Sequence, residues 1–200
     1  MARLPRLHNW MMISVVIYVA GLAGYSFWSY NEHKVQIMAQ VDEKLFESAM
    51  SIDYLLPSGF HDRAIERDSI SSIEFFECLY ILSKQAENFH VKYLYTVVLK
   101  NNKIYFTSSS ATGGELLTGE NLTHYWDEYS EANEGFFHAF DSNNQQYLEH
   151  TDRWGTFKTI MIPRISQNGH EYLLCADIET SFIDDLLLAE IPYTLGKALL

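Results

Sequence analysis

The chain has 200 residues, room for one domain of ordinary size and an appendage. A hydrophobic content of 48% and an aromatic content of 14% support a packed core and exclude a disordered chain. All 26 Asp and Glu lie after position 30, with 12 of the 14 Lys and Arg (all but Arg3 and Arg6), so that part carries 12 − 26 = −14 and repels nucleic acid.

Residues 10–30, "WMMISVVIYVAGLAGYSFWSY", contain no charge over 21 positions. As a helix they reach about 31 Å at ~1.5 Å per residue, matching a hydrocarbon core of ~30 Å. Trp10 stands at one end and Trp28 and Tyr30 at the other, where amphipathic rings favour the interface. Arg3 and Arg6 precede the segment, and Glu32, His33 and Lys34 follow it. The positive-inside rule then puts residues 1–9 in the cytoplasm and everything after the span outside it. The alternative is a cleaved signal peptide. Its apolar region usually covers ~7–15 residues before a small-residue cleavage site, a pattern that "GLAGYS" matches weakly.

The next element continues as a helix. Val35, Met38, Val41, Leu45, Met50 and Leu55 keep roughly helical spacing until "PSG" at Pro57–Gly59 ends it. This helix opens a domain spanning 31–185 and offers a surface for a homodimer. A second helix is expected from about Ser69 to Phe89, capped by Ser71 or Ser72, with Ile73, Phe76, Leu79, Tyr80 and Leu82 on its apolar face.

Strands follow. "VKYLYTVVLK" at 91–100, the turn pair Asn101–Asn102 and "KIYFTSS" read as a hairpin. A looser region, 111–144, holds "EANEGFFHAF", a short helix expected to be capped near Ser130. Strands at 145–151, 156–166 and 171–179 come next, the last two joined by "QNG". The chain turns helical again from Thr180. Residues 186–200 resemble the approach to a second span but stop short of the ~20 residues one needs. They are either the start of a transmembrane helix in a longer receptor or a helix on the membrane surface. The order predicts an α+β fold: an antiparallel sheet of about five strands with helices to one side.

Several residues can carry chemistry. Ser108, Ser109 and Ser110 end a strand, and His124 and Asp127 follow, so a hydrolytic triad can be sketched; no G-x-S-x-G elbow surrounds the serines. The bland alternative uses Ser110, Thr112 and the glycines to cap the loop and start a short helix around Leu116. "TDRWG" sets Asp152, Arg153 and Trp154 in one turn. It offers a guanidinium fork for a carboxylate and a ring for its apolar part, or simply a structural turn. Asp177 ends an apolar strand run, Leu173 to Ala176, and a carboxylate buried there needs a partner: a ligand, the next helix start at Thr180 and Ser181, or Arg153. Tyr93 and Tyr95 alternate onto one strand face, and "YWDEY" at 125–129 can overhang a pocket. No calcium loop, zinc spacing or cofactor motif is present, and "NLT" at Asn121 reads as chance. Cys78 and Cys175 are two buried thiols or one disulfide.

"YLYTVVLKNNKIYFTSSSAT", "YWDEYSEANEGFFHAF", "DRWGTFKTIMIPRI" and "ADIETSFIDDLL", behind an N-terminal anchor and a long helix, resemble the extracytoplasmic Cache-type sensor domains of bacteria. The resemblance covers about residues 10–190 and is nearest to the input regions of membrane-bound diguanylate cyclases. It implies a PAS-like fold and a non-enzymatic signal-input role, any output activity lying in another domain. It also implies that an acid placed like Asp177 receives an amine and that the loop between central strands helps close the pocket. The expected ligand site is Asp177, Arg153, Trp154, Asp152, Tyr95, Tyr105, Ser108, Ser110 and Tyr129, without metal or cofactor. The alternative function is an anchored scaffold with no small ligand and a filled interior.

Overall fold

The structure, a computed structural model, describes residues 4–189; the part of the terminal helix expected over 190–200 lies outside them. The chain divides into two units, one of residues 1–40 and 184–200 and one of Val41–Ile183.

The first unit holds most of α1 (Leu4–Leu55). Trp10, Val16, Ile17 and Phe27 lie exposed along it, and the helix is long and apolar enough to cross a membrane. None of its most apolar stretch is buried, unlike the core helix of a soluble protein. Val35 is exposed as well, so the buried stripe begins later than the sequence spacing predicts.

The second unit begins with the last turns of α1. Val41, Leu45, Ala49, Ile52 and Leu56 are buried at four- and three-residue steps, while Met50 is only half-buried. The stripe turns on Ala49 because a small side chain lets the helix approach the sheet. Pro57–Gly59 follow the helix end, and α2 (Phe60–Arg63) plugs Phe60 into the core.

Helix α3 (Ser72–Phe89) starts on Ser71, whose hydroxyl accepts from the Glu74 amide. Its buried face is Phe75, Cys78, Leu79, Leu82, Ser83 and Ala86. Ile73, Phe76 and Tyr80, expected on that face, are exposed. Two apolar stripes share the helix, and the one carrying small residues packs on the sheet, since bulk at 78, 83 and 86 would hold it away.

The sheet has five antiparallel strands in the order β2-β1-β5-β4-β3: β1 (Tyr93–Lys100), β2 (Lys103–Ser109), β3 (Gln146–Asp152), β4 (Gly155–Ile165) and β5 (Glu171–Glu179). Asn101 and Asn102 close β1–β2 with φ of 51° and 60°, the left-handed pair that suits strand twist. One face of the sheet receives α3 and the end of α1. There Asp53 accepts from Arg164 Nε at 3.0 Å, Arg164 Nη2 at 2.8 Å and Tyr172 hydroxyl at 2.9 Å, and Asp42 pairs with Lys158 at 2.5 Å.

The other face carries α4 (Gly113–Thr118), α5 (Glu134–Ser142) and the loops between them. Helix α5 is capped by Asn133, which accepts from the Gly135 amide, and not by Ser130. Its buried Phe136, Ala139 and Phe140 join Tyr95, Val97, Phe106, Phe157, Met161 and Cys175 in one core. Cys78 and Cys175 are free and buried on different elements, and burial pushes the Cys78 thiol up to about 11. Helix α6 (Thr180–Ala189) follows β5 and buries Ile183.

Candidate functional site

On the α5 face, β1, β4 and β5 meet a rim formed by the end of β2, α4 and the β3–β4 hairpin. They enclose a small recess with about 20 Å³ open to the centre of a water molecule.

Strand alternation decides which side chains enter. Tyr93 and Tyr95 in β1, Phe157 in β4 and Asp177 in β5 all point into it. In β2 the count breaks. Val97 pairs with Phe106, but Thr96 pairs with Ser108, so Thr107 is an extra residue on that strand. Beyond it the faces exchange. Ser108 therefore turns to the helix side and bonds Thr96 at 2.7 Å, fully buried, while Ser109 and Ser110 line the recess. Tyr105 lies one residue out of phase with Phe106 and stacks on Trp126, centroids 5.1 Å apart.

Asp177 is 4% exposed. Its Oδ1 accepts from Thr159 Oγ1 at 2.6 Å and from Tyr95 hydroxyl at 3.2 Å. No bond to Oδ2 is found among the described residues. Burial pushes its carboxyl up to about 7, against the opposing pull of the Thr159 bond. The partners considered from sequence, Thr180, Ser181 and Arg153, are not the ones it uses.

Asp152 shows the opposite balance. Burial raises its carboxyl, but bonds from His150, Tyr129 and the Trp154 amide outweigh that and hold it below the usual range. Tyr129 hydroxyl donates to Asp152 at 2.6 Å and meets His150 Nε2 at 3.0 Å. With that proton committed to Asp152, the Tyr129 oxygen accepts from the imidazole. Trp154 is fixed by its indole N–H on the Asn121 carbonyl at 2.7 Å.

Arg153 turns away from the recess. Its guanidinium lies 4.1 Å from the Trp154 ring centre and its Nε 3.9 Å from Glu131. On the opposite rim, Thr112 and Glu115 form a capping box, and Glu115 also accepts from Tyr93 hydroxyl at 2.8 Å.

Of the residues expected at the site, Asp177, Asp152, Trp154, Tyr95, Ser110 and Tyr129 line the recess; Arg153, Tyr105 and Ser108 do not. Sequence reasoning missed Ser109, Phe106, Phe157 and Glu115. A T-x-x-E pattern at Thr112–Glu115 was the available signal for the last. The serine triad does not form: Ser109 donates to the Ser110 carbonyl, Ser110 accepts from the Leu94 amide, and the His124 ring lies beside Asp127, at 3.6 Å, and Phe76.

No protein-family model matches the chain, and no curated protein matches it. Solved structures do. The ligand-binding domain of the Campylobacter jejuni chemoreceptor Tlp3 in complex with L-valine matches with a TM-score of 0.55 at 12% identity, over 86% of this chain and 65% of that one. The sensory domain of the same receptor with isoleucine bound matches with a TM-score of 0.53, again at 12% identity over 86% and 65%. The chain thus spans about two thirds of the length of those domains. The resemblance to Cache-type, PAS-like sensor domains holds at the level of the fold: a long N-terminal helix and a five-stranded antiparallel sheet in the architecture of chemoreceptor ligand-binding domains.

Proposed function

We propose that the chain is the extracytoplasmic input domain of a bacterial membrane receptor, binding a small molecule with an ammonium group against Asp177. The observation that carries this is a carboxylate 4% exposed, facing a recess and held from one oxygen only. A buried charge of that kind needs a partner, and an ammonium supplies donors and charge together. The fold shared with domains that bind L-valine and isoleucine agrees with a small amine-bearing ligand.

Residues 10–30 anchor the domain in the inner membrane, with 1–9 cytoplasmic and 31–185 outside; the apolar α1 segment and Arg3 and Arg6 support this orientation. The segment 186–200 would lead back to the membrane. Exposed Phe46 and Tyr54 on α1 leave apolar surface for a second copy, so a homodimer through this helix is part of the proposal. The output domain would be a diguanylate cyclase or a related signalling module. A ligand can drive it only through unequal affinity for two arrangements of the domain.

The test is thermal unfolding of the full chain in nanodiscs against a panel of amines and amino acids. A ligand at about 100 times its Kd should stabilise by roughly 3 kcal/mol, and Asp177→Ala should abolish the shift. A shift that survives the substitution removes Asp177 from the site. No shift from any compound favours an anchored interaction domain instead.

A further inference from the structure

The recess also constrains what else the ligand can carry. Among the described residues its walls hold three carboxylates, Asp152, Asp177 and Glu115, and no Lys, Arg or His. His150 stands behind Asp152 at 3.5 Å and contributes no wall. Arg153, the residue the sequence offered for a carboxylate, is engaged with Trp154 and Glu131 outside.

The hydroxyls sharpen the imbalance. Tyr95 donates to Asp177, Tyr129 to Asp152 and Tyr93 to Glu115. A phenol has one proton, so all three tyrosines present only acceptor capacity to an incoming molecule. Ser109 likewise spends its proton on the Ser110 carbonyl. The wall is rich in acceptors and negative charge, and its uncommitted donors, the Ser110 and Thr123 hydroxyls and the Asn121 amide, are all neutral. Phe106, Phe157 and the Trp154 ring supply the faces that favour a cation or an alkyl group.

We infer that the recess selects an organic cation without a carboxylate (a primary amine or a diamine) and rejects the amino acid of the same skeleton. This rests on the ammonium reading above and deepens it. A zwitterion would bring its carboxylate within reach of three acids, with no guanidinium or ammonium among the walls to receive it. Such a group loses its water with no positive charge to compensate it.

Matched pairs test this on the full chain in nanodiscs of neutral phosphatidylcholine: isobutylamine with L-valine, phenethylamine with L-phenylalanine, putrescine with L-ornithine. Calorimetric titration should show at least one amine binding about tenfold or more tighter than its partner, a difference of ~1.4 kcal/mol. Asp177→Asn, which keeps one amide oxygen to accept from both Thr159 and Tyr95, should remove that binding while leaving the fold. An L-amino acid that binds as tightly as its amine, with Asp177-dependent affinity, overturns the selection and leaves the sensor reading standing. Silence from all six compounds overturns both.

Discussion

Asp177 gives the recess a pH response. Burial raises its carboxyl from 3.8 to about 7 in the folded protein. Folding therefore favours the protonated form, and that contribution is complete below about pH 4 and lost as pH climbs to 7. A shift of that size is worth at most on the order of 4 kcal/mol. Asp177→Asn keeps the shape and removes the titration. Without ligand, the variant should unfold at higher urea than the parent at pH 8, with the gap narrowing as pH falls and closing near pH 4. Equal midpoints at pH 8 would mean that the parent already compensates this charge. The same residue shows what a sequence can disclose. An acid closing an apolar strand run marks a buried carboxylate, and it was legible. Its true partner was not: Thr159 sits inside "KTIMI", where a lone hydroxyl is indistinguishable from strand filler. Nor does a turn such as "DRWG" reveal which way its arginine swings.

Elements were legible where a period or a cap survives in the letters. Both tyrosines of β1 fall on the recess face as alternation requires, and Ser71 caps α3 as its position suggests. Alternation failed in β2 because the bulge at Thr107 shifts the count by one, and nothing in "YFTSSS" announces a bulge. The apolar face of α3 was misjudged because bulk was weighed above fit. The β3–β4 hairpin depends on Gly155, whose φ of 150° lies outside the range side chains favour. A Cβ there would stand 2.8 Å from Phe157 Cζ, a recess residue. Gly155→Ala should cost about 1–3 kcal/mol in denaturant unfolding. It should also weaken ligand binding by displacing the Phe157 ring, whereas a Gly169→Ala control at an open turn should spare binding.

For the whole molecule, the anchored topology makes a direct expectation. Alkaline phosphatase fused after residue 185 should be active in a bacterial host, and the chain should resist carbonate extraction; loss of residues 10–30 should abolish both. An inactive fusion with an active cytosolic reporter would reverse the orientation. Within the Val41–Ile183 unit, Lys158 and Thr159 are neighbours on β4. The first reaches Asp42 on α1 and the second reaches Asp177. The grip on the helix and the grip on the acid are thus mounted back to back, one peptide bond apart. A displacement of the β4 backbone at Thr159 would carry the Lys158–Asp42 pair with it, so strain on one side of the sheet is felt on the other.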